Sequence, residues 1–147
     1  MAPSTANAIE ACPPKTQNCI RTAWTPPSGT SKSDAVKTVL EVLNAYPQEG
    51  QNEADKGGYA VVEDDLAGPS GKARLEYKSG IGNFAKFFNG GKPFIDDLNL
   101  EIDQDGKVEV RSSSRVGESD LGVNQKRLSY LAAAFKAKGW DAPDPKY

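Results

Sequence analysis

Two arginines, three consecutive serines, an aspartate, an asparagine and a further arginine crowd into Val110-Arg-Ser-Ser-Ser-Arg-Val-Gly-Glu-Ser-Asp-Leu-Gly-Val-Asn-Gln-Lys-Arg127. The residues able to do chemistry are Arg111, Ser112, Ser114, Arg115, Asp120, Asn124 and Arg127. A serine nucleophile needs a neighbouring base, and here only Glu118, Asp120 or Lys126 is close in sequence. Arginines beside a helix start suit an anion instead, because the first backbone N–H groups of a helix are free to donate. The third reading is a polar clasp, in which the arginines pair with carboxylates and join sheet to helix. Asp96-Asp97 supplies such carboxylates; a pair of this kind could otherwise serve acid/base or metal chemistry.

The chain of 147 residues has no histidine. That removes imidazole triads, Cys–His dyads and imidazole metal sites together. No metal or other cofactor is expected. Glu101, Asp103, Asp105 and Gly106 resemble the first half of a calcium loop, but Ser112 stands where the bidentate glutamate belongs. A hairpin turn explains the same residues. Cys12 and Cys19, the only cysteines, lack the other ligands of a zinc site. A disulfide closing the short loop is the simplest reading, with reduced thiols or a redox pair as alternatives. It implies an exported or lumenal chain in an oxidising compartment: the periplasm, the cell exterior or an organelle lumen. A net charge of −2 argues against nucleic acid as a partner, since that needs a basic footprint. No apolar run is long enough to span a bilayer. The first eight residues lack the apolar core of a signal peptide and fit the front of a processed chain.

The elements that must position these residues follow from periodicity. Residues 1–30 hold five of the ten prolines and read as an irregular, disulfide-pinned arm anchored by Trp24. Ser33 reads as the N-cap of a first helix whose stripe is Val36, Val39, Leu40 and Leu43. Four strands are expected around 59–62, 73–77, 98–102 and 108–110, from apolar/polar alternation. A three-residue loop, Gln104-Asp105-Gly106, opposes Ile102 to Val108 and puts Arg111 on the wet face. A last helix is expected from about Leu121 to Lys138, with Asp120 as N-cap, Gly139 past its end and Trp140 folding back. The fold class is α+β: an antiparallel sheet of about four strands with both helices on one face. Residues 31–140 form the single domain and 141–147 a tail.

Ser79 to Lys92 carries Phe84, Phe87 and Phe88 between glycine pairs. At helical spacing the three rings share a face; they either cover one end of the core or form an exposed partner-contact lobe.

The run Arg111 to Arg127 resembles the signature of the "domain of unknown function 1499" family. Cys12 to Cys19 is similar to that family's amino-terminal Cys-Pro and Asn-Cys segment, and Phe94-Ile95-Asp96-Asp97 to its strand entry. The likeness spans about Cys12 to Leu131. It departs at Gln17-Asn18, where many members carry Pro-Asn, and in the longer stretch at 79–92. The family occurs in bacteria, often exported, and in plastids of plants and algae, and it has no established activity. The expected function is a non-catalytic accessory module that binds a protein partner, and the family's distribution suggests where. Its sharpest form is a peripheral lumenal subunit of a photosynthetic membrane complex (a photosystem). The alternative is a small-anion binder or an enzyme using the Arg/Ser/Asp turn.

Overall fold

The computed structural model describes residues 9–14, 18–46, 58–78, 95–115 and 122–147. Its elements run β1 (Cys19–Trp24), α1 (Lys32–Ala45), β2 (Tyr59–Asp65), β3 (Lys72–Lys78), β4 (Ile95–Ile102), β5 (Val108–Ser114) and α2 (Val123–Ala137). All strand pairs are antiparallel, in the order β1-β5-β4-β3-β2. Among the described residues the sheet therefore has five strands. The additional one, β1, lies within the stretch read from sequence as an irregular arm. Prolines on both sides obscured it. Its alternation is nonetheless present, with Ile20 and Trp24 buried and Arg21 between them exposed.

Strict alternation buries one face of the sheet. Ala73, Leu75, Tyr77, Leu98, Leu100, Ile102, Val108 and Val110 meet the apolar sides of α1 and α2 in one core. Trp24 is fully buried and stacks on Phe135 of α2 at 4.5 Å between centroids. Such rings dominate core energetics because each removes a large apolar area from water. The edge strand β2 slips register between Val61 and Glu63.

Helix ends follow local chemistry. Ser31, not Ser33, caps α1: its backbone is extended and its hydroxyl accepts from the Asp34 N–H at 3.0 Å. Both serines suit the rule, and only the one outside the helical φ/ψ region can apply it. The N-cap of α2 is Gly122, with no side-chain cap bond, so Asp120 does not hold that position; Asp120 itself lies outside the described residues. The other end of α2 closes as expected. The Gly139 N–H donates to the Lys136 carbonyl and the Trp140 N–H to the Phe135 carbonyl, while Trp140 packs on Phe135 at 4.8 Å. Gly139 has φ +84°, which glycine adopts without strain. Beyond it, Asp141 exchanges two backbone hydrogen bonds with Thr25, just past β1.

The β4–β5 turn has the three-residue geometry, with Ile102 opposite Val108 and Asn99 opposite Arg111. The Asp103 carboxylate accepts from the N–H groups of Asp105 and Lys107. It is committed to the turn, which leaves the calcium-loop likeness without its second ligand. Gly106 has φ +84°, and a Cβ there would lie 2.8 Å from the Ala35 Cβ on α1. The hairpin thus seats the start of α1. Cys12 and Cys19 form a disulfide with Cα atoms 5.7 Å apart. In the chain-entropy view, closing so short a loop stabilises the fold by about 2.5 kcal/mol.

Gly106→Ala combines a left-handed backbone with overpacking and should cost about 2–4 kcal/mol in urea unfolding. Gly29→Ala, also at positive φ but with nothing within 4 Å, should cost only about 1–2 kcal/mol. Equal losses would show that the Ala35 contact contributes nothing.

Candidate functional site

Period-two alternation divides the Arg-Ser-Ser-Ser-Arg run between the two faces of the sheet. Ser112 and Ser114 turn inward, toward the helices. Arg111, Ser113 and Arg115 turn outward. The same rule separates Asp96, which is buried, from Asp97, on the outer face. Asp96 pairs with Ser114 and Asp97 with Ser113 across β4–β5. The residues read from sequence as one clasp are therefore two networks back to back, and Arg111, Arg115 and Asp97 belong to the outer one.

The inner network is centred on Arg127, which is 0% exposed. Asn124 and Arg127 are three apart on α2, so they project from one face of the helix. The Arg127 Nη2 donates to Asp96 Oδ2 at 2.7 Å. Its Nη1 donates to Ser112 Oγ at 2.9 Å and to Asn124 Oδ1 at 2.8 Å. Ser112 Oγ in turn donates to Asn124 Oδ1 at 2.6 Å. The Asn124 amide donates to Ser114 Oγ at 3.0 Å and to the Asn18 carbonyl at 3.3 Å. The guanidinium also lies over the Tyr77 ring, 4.6 Å from its centroid, a cation–π contact in a site screened from water. Tyr77 belongs to a tyrosine cluster with Tyr46, Tyr59 and, through Tyr46, Tyr130.

A buried charge is tolerated only when its hydrogen bonds are met. Asp96, Ser112, Asn124 and Tyr77 surround Arg127 to meet them. The consequence for chemistry is direct. Ser112 is 0% exposed, so its hydroxyl cannot meet a substrate in this arrangement.

The outer network is a ladder across β3, β4 and β5. Arg115 grips Asp97 through two hydrogen bonds, Nε to Oδ2 and Nη2 to Oδ1, both 2.8 Å. Arg115 Nη2 also reaches Glu76 Oε2 at 2.8 Å. Arg74 Nη1 donates to Glu76 at 2.9 Å and to Asp97 at 3.1 Å. The hydrogen bond from Arg115 is the largest cause holding both carboxyls below their ordinary values. Reciprocally, the hydrogen bond to Asp97 is the main cause raising Arg115. Arg111 stands beside this ladder, donating through Nη1 to Ser113 Oγ at 3.1 Å.

Sequence reasoning missed Asn18, Arg74, Glu76, Tyr77 and Ser113. Register was the missing signal. With β3 aligned on β4, Glu76 falls opposite Asp97 and Tyr77 opposite Asp96. Asp120 and the lobe of Phe84, Phe87 and Phe88 lie outside the described residues. Among the described residues, no three His, Cys, Asp or Glu side chains are grouped to hold a metal ion. Within them, no helix is long and apolar enough to cross a membrane.

A family model described as "Protein of unknown function (DUF1499)" matches residues 3–135. No curated protein and no solved structure matches the chain.

Removing one partner of the buried pair leaves the other charge unmet, so Arg127→Met or Asp96→Leu should each cost about 3–5 kcal/mol. Combined, they should cost roughly 1–3 kcal/mol less than the sum of the singles. Additive losses in denaturant unfolding would show that the two residues do not act as a unit. The outer ladder predicts a pH effect. Asp97 and Glu76 titrate lower in the folded chain than in the unfolded one. Their contribution is therefore complete above the unfolded carboxylate range, about pH 4. It is lost as pH falls below that range. Arg115→Gln should flatten this acid limb of a melting-temperature profile; an unchanged limb would assign it to other carboxylates.

Proposed function

This chain belongs to the DUF1499 family, and we propose that it is a non-catalytic binding module that docks on a protein partner in an oxidising compartment. The observation that carries the reading is the closure of the inner network. Ser112, Asn124, Arg127 and Asp96 spend their hydrogen bonds on one another at the junction of β4, β5 and α2. Such a network holds a surface in place and offers no buried group to a substrate.

The surface that supports a docking role is the open edge of the sheet. On β2 the residues Ala60 to Asp64 are all exposed, with Val61 at 46% and Val62 at 48%. No described strand pairs with its outer side. An uncovered edge carries unpaired backbone groups, to which an extended segment of another protein can add as a strand. Glu63, Asp64 and Asp65 at one end favour a basic segment and oppose pairing with a second copy. The other edge is less available: β1 is tied by the disulfide at its start and by Asp141 just beyond its end.

The disulfide supports an oxidising compartment. The resemblance carries the reading one step further, to a peripheral subunit of a photosynthetic membrane complex in the thylakoid lumen. In that assembly the lobe of Phe84, Phe87 and Phe88 is a second contact.

Gentle native purification with zero-length carbodiimide cross-linking tests the reading. The chain should migrate with a larger complex, cross-linked from Glu63, Asp64 or Asp65 to lysines of a partner. Val61→Lys with Val62→Lys should abolish the cross-links at unchanged melting temperature. A chain that always elutes alone and monomeric sinks the proposal. Two free thiols in protein prepared without reductant would remove the compartment argument.

A further inference from the structure

The outer face of the sheet carries a feature that the inner network does not use. One cross-strand row on this face reads Arg21, Arg111, Asn99, Arg74 and Glu63, from β1 to β2. Three arginines in one row, two of them directly opposed, are unfavourable unless negative charge lies among them. Arg74 has its carboxylates in Glu76 and Asp97. Arg21 has Glu109 at 3.8 Å. Arg111 makes no ion pair among the described residues. Its one hydrogen bond is to the neutral hydroxyl of Ser113, and its Nε is buried with no partner. An unmet donor on a charged group is costly, and such groups call for an explanation.

Beside Arg111 the face opens into a cavity of about 240 Å³, floored by Arg111, Asn99 and Arg74 and lined also by Lys72, Glu63 and Ile9. The row and the cavity coincide. We propose that this cavity binds a small monocarboxylate, held by the Arg111 guanidinium with help from the Asn99 amide and Lys72.

Three features select the class. A planar guanidinium matches a planar carboxylate through two parallel hydrogen bonds. To offer that edge, Arg111 exchanges its bond to Ser113 for the ligand, a rotation that also frees the unmet Nε. Glu63 and Glu10 also line the cavity; they oppose a doubly charged ion such as phosphate and tolerate a single charge. Ile9 and the aliphatic stems of the arginines offer an apolar wall to the body of the acid. The inference is separable from edge docking, because it uses none of the exposed valines and shares only Glu63 with the β2 edge.

The test is a titration of the whole chain with butyrate at constant ionic strength, following the Arg111 Nε–H and the Asn99 side-chain amide resonances by NMR; the Asn99 amide reports binding in chains that lack Arg111. Saturable movement of both resonances is expected. Arg111→Gln should weaken binding about tenfold or more. Arg115→Gln, outside the cavity, should bind as the wild type does. Spectra of each variant report whether the fold is retained. No saturable shift with butyrate overturns the proposal, as does equal binding by a folded Arg111→Gln chain. Tighter binding of inorganic phosphate than of butyrate overturns the assignment to a monocarboxylate.

Discussion

The ion pair between Asp96 and Arg127 is the constraint around which the rest is arranged. Both side chains are almost wholly removed from water, and a guanidinium in that state requires a partner for each polar edge. Asp96 comes from the start of β4, Ser112 from β5 and Asn124 from α2. The Tyr77 ring of β3 lies against the face of the guanidinium. Four elements must therefore be in register before the charge is satisfied, and any slip of one residue would turn Asp96 or Ser112 to the opposite face. The pair is thus a device that specifies arrangement, whatever its net contribution to stability.

The inner network also explains why the amino-terminal segment belongs to the domain. The carbonyl of Asn18 accepts from the Asn124 amide and from the Ser114 N–H. The next residue, Cys19, is fastened to Cys12. The disulfide holds the start of β1, β1 extends the sheet beyond β5, and Trp24 at its other end stacks on Phe135 of α2. Loop entropy, strand pairing and aromatic packing act on the same short strand.

Two networks of similar composition have opposite physical characters because they lie on opposite sides of one sheet. The inner one is dry, and each lost partner is costly. The outer one is wet, and each ion pair in it contributes little, about 0–1 kcal/mol. Its value lies in arrangement: Asp97 and Glu76 neutralise Arg115 and Arg74, and Arg111 is left over. A binding surface can be built from such a remainder without disturbing the core.

By itself the amino-acid sequence determined most of the local structure. The stripe of α1, the Gly139–Trp140 closure of α2, the three-residue turn at Gly106 and the outward direction of Arg111 all follow from periodicity and turn chemistry. These depend on neighbours a few residues apart. It also marked Arg111 to Arg127, Asp96 and Asp97 as one set of interest, without separating them. Only the tertiary structure decided that Ser112, Ser114, Asp96, Asn124 and Arg127 meet inside while Arg115 and Asp97 meet outside. The same holds for Asn18 and Tyr77 joining the first group, Glu76 and Arg74 joining the second, and β1 pairing with β5. Each of these contacts links residues distant in sequence. Their energies come from burial and register, which no local pattern encodes.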